Sequence, residues 1–161
     1  MLICSIKAST VKFFCCIACA LVIAVTLTAF LPGKDSVTTF TDGKETVYDN
    51  AETNGGRIEF LKQFGWEVES TPIEKTTVTV PSEFDTVFSG YNDLQKLQGL
   101  DLSRYKQKEV TRYTYKIINY SGYQGTVYAN LIVYRGCVIG GDVCTESSDG
   151  FIHGFSKDTR L

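Results

Sequence analysis

Phe13 to Leu31 reads FFCCIACALVIAVTLTAFL, nineteen residues with no charge and with hydroxyls only at Thr26 and Thr28. As a helix rising ~1.5 Å per residue, it would extend about 28 Å, close to the ~30 Å hydrocarbon core of a bilayer. A helix packed on a soluble core shows a polar stripe on its outer side, and this run has none. The expectation is a single membrane-spanning anchor at 13–31, preceded by a short N-terminus at 1–12. A cleaved signal peptide is the alternative, giving a secreted protein. It calls for an apolar region of about 7–15 residues and a small-x-small cleavage site. Leu27-Thr28-Ala29 is the nearest candidate, with a bulky leucine where a small residue belongs. Cys16-Ile17-Ala18-Cys19 resembles a lipidation site, but twelve mostly apolar residues follow it. Lys7 and Lys12 precede the run without acidic neighbours, whereas Lys34 is offset by Asp35. Basic residues favour the cytoplasmic side, so the N-terminus is expected inside and the remainder outside the cytoplasm.

A chain of 161 residues leaves room for one domain beyond such an anchor. Residues 34–161 carry fourteen Lys and Arg against eighteen Asp and Glu, a net charge of −4. That balance argues against nucleic acid or an anionic lipid surface as the main partner. The charge is segregated: 34–95 is strongly acidic, whereas 96–116 holds six bases and two acids. Two solvated faces of one domain, or a basic groove for an anionic envelope ligand, would both give this pattern. Cys4, Cys15, Cys16 and Cys19 lie in or before the anchor, which leaves Cys137 and Cys144 for the outer domain.

Residues 32–53 are polar and lack a long apolar period, as in a tether, with a small hairpin about Asp42-Gly43. From Asn54 the apolar residues Ile58, Leu61 and Phe64, with Phe60, take helical spacing up to Gly65. Asn54 is the expected cap. Trp66-Glu67-Val68 is extended, and Thr76, Val78 and Val80 mark a β-branched strand ended by Pro81. A second helix is read from Phe84, Val87, Phe88, Tyr91, Leu94 and Leu97, opened by a Ser82–Asp85 capping box and stopped by Gly99. Strands follow at 108–119, 126–134 and 137–143. In the second of these, Val127, Ala129, Leu131 and Val133 alternate with Tyr128, Asn130, Ile132 and Tyr134, so both faces are at least half covered. Phe151–Phe155 is apolar enough to pack back as a last strand, ahead of a tail at 156–161. The order α-β-α-β-β-β describes an α+β domain over 54–155, an antiparallel sheet with two helices on one face.

Two turns compete for the last hairpin. Arg135-Gly136 would pair Tyr134 with Cys137 and Ile132 with Ile139, placing the two thiols a strand apart. Gly140-Gly141 would set Cys137 opposite Cys144 and allow a disulfide, but it needs a strand from 126 to 139, beyond the usual ~3–10 residues. It also runs Gly136 through a strand interior, where glycine weakens pairing. The first register is therefore expected.

Several runs in order carry a resemblance: Arg57…Phe60-Leu61…Gly65-Trp66-Glu67-Val68, Pro81…Tyr91-Asn92…Leu94-Gln95, Gly99…Asp101-Leu102, Tyr113…Tyr115…Asn119-Tyr120 and Ile139-Gly140-Gly141-Asp142-Val143. Over about residues 54–155 the chain resembles the domain of unknown function 4830 family. The resemblance implies a small membrane-anchored or secreted protein of a Gram-positive bacterium. It implies no assigned activity and no catalytic residues, and Cys137 and Cys144 stand outside its pattern.

Among individual residues, Asp142 follows two glycines that allow a ligand or a backbone segment to approach closely; a bulge with a satisfied carboxylate is the structural reading. Arg112 and Lys116 with Tyr128 and Tyr134 are read as an aromatic-basic ligand surface on the second face of the sheet. His153 is the only histidine, which excludes a multi-histidine metal site. No cofactor or metal site is expected. Two functions of different class are open. One is a non-enzymatic, membrane-tethered module that binds an envelope protein, a peptide or a cell-wall component. The other is a small hydrolase or thiol enzyme using Asp142, His153 and Cys137 or Cys144.

Overall fold

The computed structural model describes residues 38–41, 44–147 and 150–159. The anchor expected at 13–31, the four cysteines in or before it and the orientation read from Lys7 and Lys12 lie outside those residues. Among the described residues no helix is long and apolar enough to cross a membrane. All of them belong to one unit, Ser36–Leu161.

β1 (Thr38–Thr41) and β2 (Lys44–Val47) pair antiparallel with Thr38 opposite Val47, as the hairpin expected about residues 42–43 requires. Gln63 clamps its end, accepting from Val47 N at 2.9 Å and donating to Val47 O at 3.0 Å. Helix α1 (Asn54–Lys62) is capped by Thr53, whose hydroxyl accepts from Gly56 N at 3.0 Å. The cap is one residue before the Asn54 expected, and Asn54 instead donates to Ser70 O at 2.7 Å. Helix α2 (Thr86–Leu97) opens on Asp85, which accepts from Phe88 N at 2.7 Å. This single carboxylate cap replaces the Ser82–Asp85 box, so Phe84 stands before the helix. Gly65 and Gly99 close the two helices with φ of +82° and +76°, the left-handed stop read for each. A 3-10 turn at Leu102–Tyr105 leads into the sheet.

The sheet has five antiparallel strands in the order β3 (Glu74–Thr79), β4 (Glu109–Ile117), β5 (Val127–Tyr134), β6 (Cys137–Thr145) and β7 (Ile152–His153). The described residues thus form a small α+β domain with two helices, and the tail does pack back as a strand. Arg135-Gly136 is the β5–β6 turn, with φ of +48° and +80°, as a two-residue turn of this hand requires. Tyr134 pairs with Cys137 as expected, but Ile132 pairs with Gly140 rather than Ile139. One extra residue, Ile139, bulges out of β6 there, so the bulge precedes the glycines instead of sitting on them. Cys137 and Cys144 fall at opposite ends of β6, and neither is in a disulfide.

The two helices lie on opposite faces of the sheet, not on one. The odd-numbered residues of β5 (Val127, Ala129, Leu131, Val133) pack with Phe60 and Leu61 of α1, Trp66 and Phe155. Ile132 and Tyr134 pack instead with Phe84, Phe88 and Tyr91, beside Leu102, Val80 and Val110. A strand with apolar groups on both faces needs cover on both, and one helix is available for each. Tyr48 and Ala51, within the stretch read as tether, are buried in the α1-side core.

The helical spacing of α2 overcounts its buried face. Val87 is 82% exposed and Leu97 55%, while Leu94 is 1% exposed and Gln95 wholly buried. Phe88 is only half-buried. Leu94→Ala should therefore cost ~2–5 kcal/mol by leaving a cavity. Val87→Ala should stay within about 0.5 kcal/mol, as exposed substitutions do. Urea unfolding of both variants checks the orientation of the helix; equal costs would contradict it.

The outer edge of β6 is closed along its length. Tyr48 O accepts from Val138 N at 2.7 Å, and Gly136 O accepts from Ala51 N at 2.8 Å. Further along, Gln95 Oε1 accepts from Gly141 N at 2.8 Å and Gln98 Nε2 donates to Gly141 O at 3.0 Å. Beyond Gly141, β7 takes over the pairing.

Candidate functional site

Side chains alternate between faces along a strand, and the register aligns rows of them across the sheet. On the α2 face one row holds Lys116, Tyr128 and Cys144. The next holds Glu74, Thr114, Asn130 and Asp142, and the third Thr76, Arg112, Ile132 and Gly140. α2 crosses this face and brings Tyr91 down onto the middle row.

Asp142 is 4% exposed, so it lies in no open concavity. Tyr91 OH donates to Oδ1 at 2.8 Å and Asn130 Nδ2 to Oδ2 at 2.9 Å. The Cys144 thiol is a further hydrogen-bond partner of the carboxylate. Thr114 Oγ1 donates to Asn130 Oδ1 at 2.8 Å, which fixes the amide so that its NH2 faces Asp142. The result is a chain of hydrogen bonds from β4 through β5 and β6 to α2, with both carboxylate oxygens engaged. Burial pushes the Asp142 carboxyl above its ordinary range, although its hydrogen-bond donors oppose the shift. Burial, followed by the Asp142 charge beside it, lifts the Tyr91 phenol well above its usual value. The same two causes push the Cys144 thiol up to about 12.

The raised Asp142 carboxyl has a sign that can be tested. A group that holds its proton more tightly in the folded chain adds stability below its unfolded pKa, and loses that contribution as pH rises through its folded one. The stability of the native chain relative to Asp142→Asn should accordingly decline as pH rises above the ordinary aspartate value of about 4. Thermal midpoints of both proteins above that value test this, and a difference that grows with pH would contradict it.

The other expected ligand residues are placed as follows. Arg112 Nη2 contacts both carboxylate oxygens of Glu74 at 3.0 Å, and Lys116 Nζ lies 3.3 Å from Glu69 Oε1. These pairs are about half exposed. Arg112 is close enough to favour the ionised forms of Asp142 and Cys144, and its Nε is buried without a protein acceptor. Tyr128 is half-buried between Lys116 and Cys144. Asp142, Arg112, Lys116 and Tyr128 thus share one face. Tyr134 is on it too, but at the far end, against Tyr105 with ring centroids 5.6 Å apart and under Arg135.

His153 is elsewhere. It pairs with Val143 and is buried on the α1 face, stacked on Phe151 at 5.4 Å, whereas Asp142 next along β6 points to the α2 face. Its Nδ1 donates to Gly154 O at 2.6 Å, since a carbonyl can only accept, and Nε2 lies 3.1 Å from Tyr120 OH. Trp66, Tyr120 and Phe151 continue the stack, with Lys157 Nζ 4.4 Å from the Tyr120 ring centre. An open cleft of about 470 Å³ lies beside it, lined by Ile58, Trp66, Val68 and Ile118 with Lys62 and Glu67. Among the described residues, no three of His, Cys, Asp and Glu converge as metal ligands would.

Sequence reasoning missed Tyr91, Asn130 and Thr114, without which Asp142 has no partners. Asn130 carries a visible signal, as the one amide in a strand otherwise apolar or aromatic. Gln95 and Gln98 carry a similar one, as polar residues one turn apart beside Leu94. Such residues are tolerated inside only when they hydrogen-bond.

A family model described as domain of unknown function (DUF4830) matches residues 60–143, just over half the chain. It spans α1 from Phe60, α2 and the Asp142 network. No curated protein and no solved structure matches.

Proposed function

The chain belongs to the DUF4830 family, and on that premise we propose that it is a non-enzymatic module, tethered to the cell membrane and exposed outside the cytoplasm, which binds a protein, peptide or cell-wall component of the envelope. The observation that carries the non-enzymatic reading is the separation of the titratable groups. Asp142 and His153, which would have to act as an acid–base pair, stand on opposite faces of the sheet. A thiol held near 12 supplies almost no thiolate at neutral pH. The hydrolase or thiol-enzyme alternative has no observation in its favour.

The binding surface in this reading is the α2 face beside Tyr91, with Arg112, Lys116 and Tyr128. Their ion pairs with Glu74 and Glu69 are exposed, of the kind that contributes little to stability, so an acidic ligand can exchange for either glutamate. The tether rests on Phe13–Leu31 and on Lys7 and Lys12. It predicts full-length protein in the membrane fraction, with residues 38–159 open to protease on intact protoplasts. A soluble mature form beginning near residue 29 or 30 would contradict it. The surface is tested in cells with a photo-reactive side chain in place of Tyr128. A discrete adduct that disappears on Lys116→Glu supports the reading, and adducts indifferent to Lys116 and Arg112 oppose it.

A further inference from the structure

We infer that β3 is the seam of a homodimer, two copies pairing antiparallel along it to make one ten-stranded sheet. The two edges of the sheet are treated differently. The β6 edge is closed by Tyr48–Ala51, by the glutamines of α2 and by β7. The β3 edge is exposed along its length, and no described element pairs with its outer side. An uncovered edge is a row of ready hydrogen-bond donors and acceptors, which native sheets otherwise blunt or use.

The strand itself favours a second copy over a foreign one. Val80 N donates to Lys108 O at 3.0 Å, so the even-numbered residues of β3 bond inward to β4. Lys75, Thr77 and Thr79 therefore present their N–H and C=O outward. Those three residues form a closed two-fold pairing centred on Thr77: Thr77 faces its own copy and Lys75 faces the partner's Thr79. No like charges meet.

One strand further, Thr79 is paired with Glu109, which is exposed on the same face as Lys75. Two strand spacings are ~10 Å, within the combined reach of a lysine and a glutamate. Each Lys75 thus meets the partner's Glu109 across the seam, twice by symmetry. Pro72 and Pro81 bound the strand and confine the pairing to its length, and a two-fold seam uses the open edge of both copies, so a third cannot add.

The test uses the full chain in mild detergent, with mass measured by native mass spectrometry and exchange read at individual amides. The expected result is a dimer in which the amides of Lys75, Thr77 and Thr79 are protected in proportion to dimer content. Thr77→Pro removes an outward N–H that the fold does not use, so it should yield monomers with unchanged far-UV circular dichroism. Lys75→Glu should weaken the dimer at least tenfold, and Lys75→Glu with Glu109→Lys should restore it. A dimer that survives Thr77→Pro with those amides unprotected would be joined elsewhere and would overturn the inference. So would a monomer whose β3 amides become protected only on addition of envelope material, which would make the seam a site for a foreign strand.

Discussion

A chain ending at Thr145 is expected to lose its cooperative unfolding transition altogether, although it keeps both helices, four of the five sheet strands and the whole segment that defines the family. The missing residues form the inner wall of the α1-side core. Phe155 is wholly buried, with its ring 4.9 Å from Phe60 and 5.2 Å from Phe64. Its carbonyl accepts from Trp66 Nε1 at 2.6 Å, and its N–H donates to Gln98 Oε1 at 2.6 Å. Removing Phe155 alone costs ~3–5 kcal/mol, to be set against the ~5–15 kcal/mol that holds a small domain together. The truncation also takes His153 and Phe151 from the stack on Trp66 and Tyr120, and strips β7 from the β6 edge. Near-UV circular dichroism and urea unfolding read the outcome. A truncated chain within about 1 kcal/mol of the intact one would show that the C-terminal clasp is decoration.

Gly55 and Gly56 are neighbours in α1, and alanine should act on them with opposite sign. Alanine ordinarily stabilises a helix by ~0.5–1 kcal/mol over glycine. A Cβ on Gly55 meets nothing within 4 Å, so Gly55→Ala should show that gain. A Cβ on Gly56 would run into the backbone carbonyl of Asn50, which cannot swing aside like a side chain. The chain at Asn50 is already in the left-handed region, at φ 66°. It is also tied to the helix by Arg57, whose Nη1 donates to Ala51 O at 2.9 Å and Glu52 O at 3.0 Å. Gly56→Ala must therefore push the 48–52 segment off α1, with loss of ~3 kcal/mol or more, at the upper end of overpacking costs. Thermal unfolding of the two variants side by side measures this. A gain in both would mean that α1 is not held against that segment.

Much of this architecture was legible where local chemistry decides the structure. Gly65 and Gly99 stopped the helices, Arg135-Gly136 made the turn, and Thr76, Val78 and Val80 marked a strand with its proline stop. The placement of α2 was also within reach: β5 is apolar on both faces, and only helices on both sides satisfy that. What local pattern does not carry is pairing at a distance. Nothing near Ile139 announces a bulge, because the bulge is a relation between β6 and β5. Asp142 stood out beside its glycines, but its chemistry is set by Tyr91, Asn130 and Thr114 on three other elements. Gly141 is required by the close approach of Asn130 O on the neighbouring strand and of the Phe155 ring, the second a contact made only when the tail folds back.

In the proposed reading, the polar row around Asp142 holds the fold and frames the binding face, with the Cys144 thiol kept protonated. The most direct test is the alkylation rate of Cys144 against pH, followed on its own peptide by mass spectrometry with the unfolded chain as control. A thiol held near 12 has on the order of 10³-fold less thiolate at pH 8 than an ordinary cysteine. The folded chain should therefore react at Cys144 that much more slowly than the unfolded one, with a rate still climbing above pH 10. Alkylation at Cys144 as fast as in the unfolded chain, or levelling off below pH 8, would mean a thiolate beside Asp142 and would contradict the account.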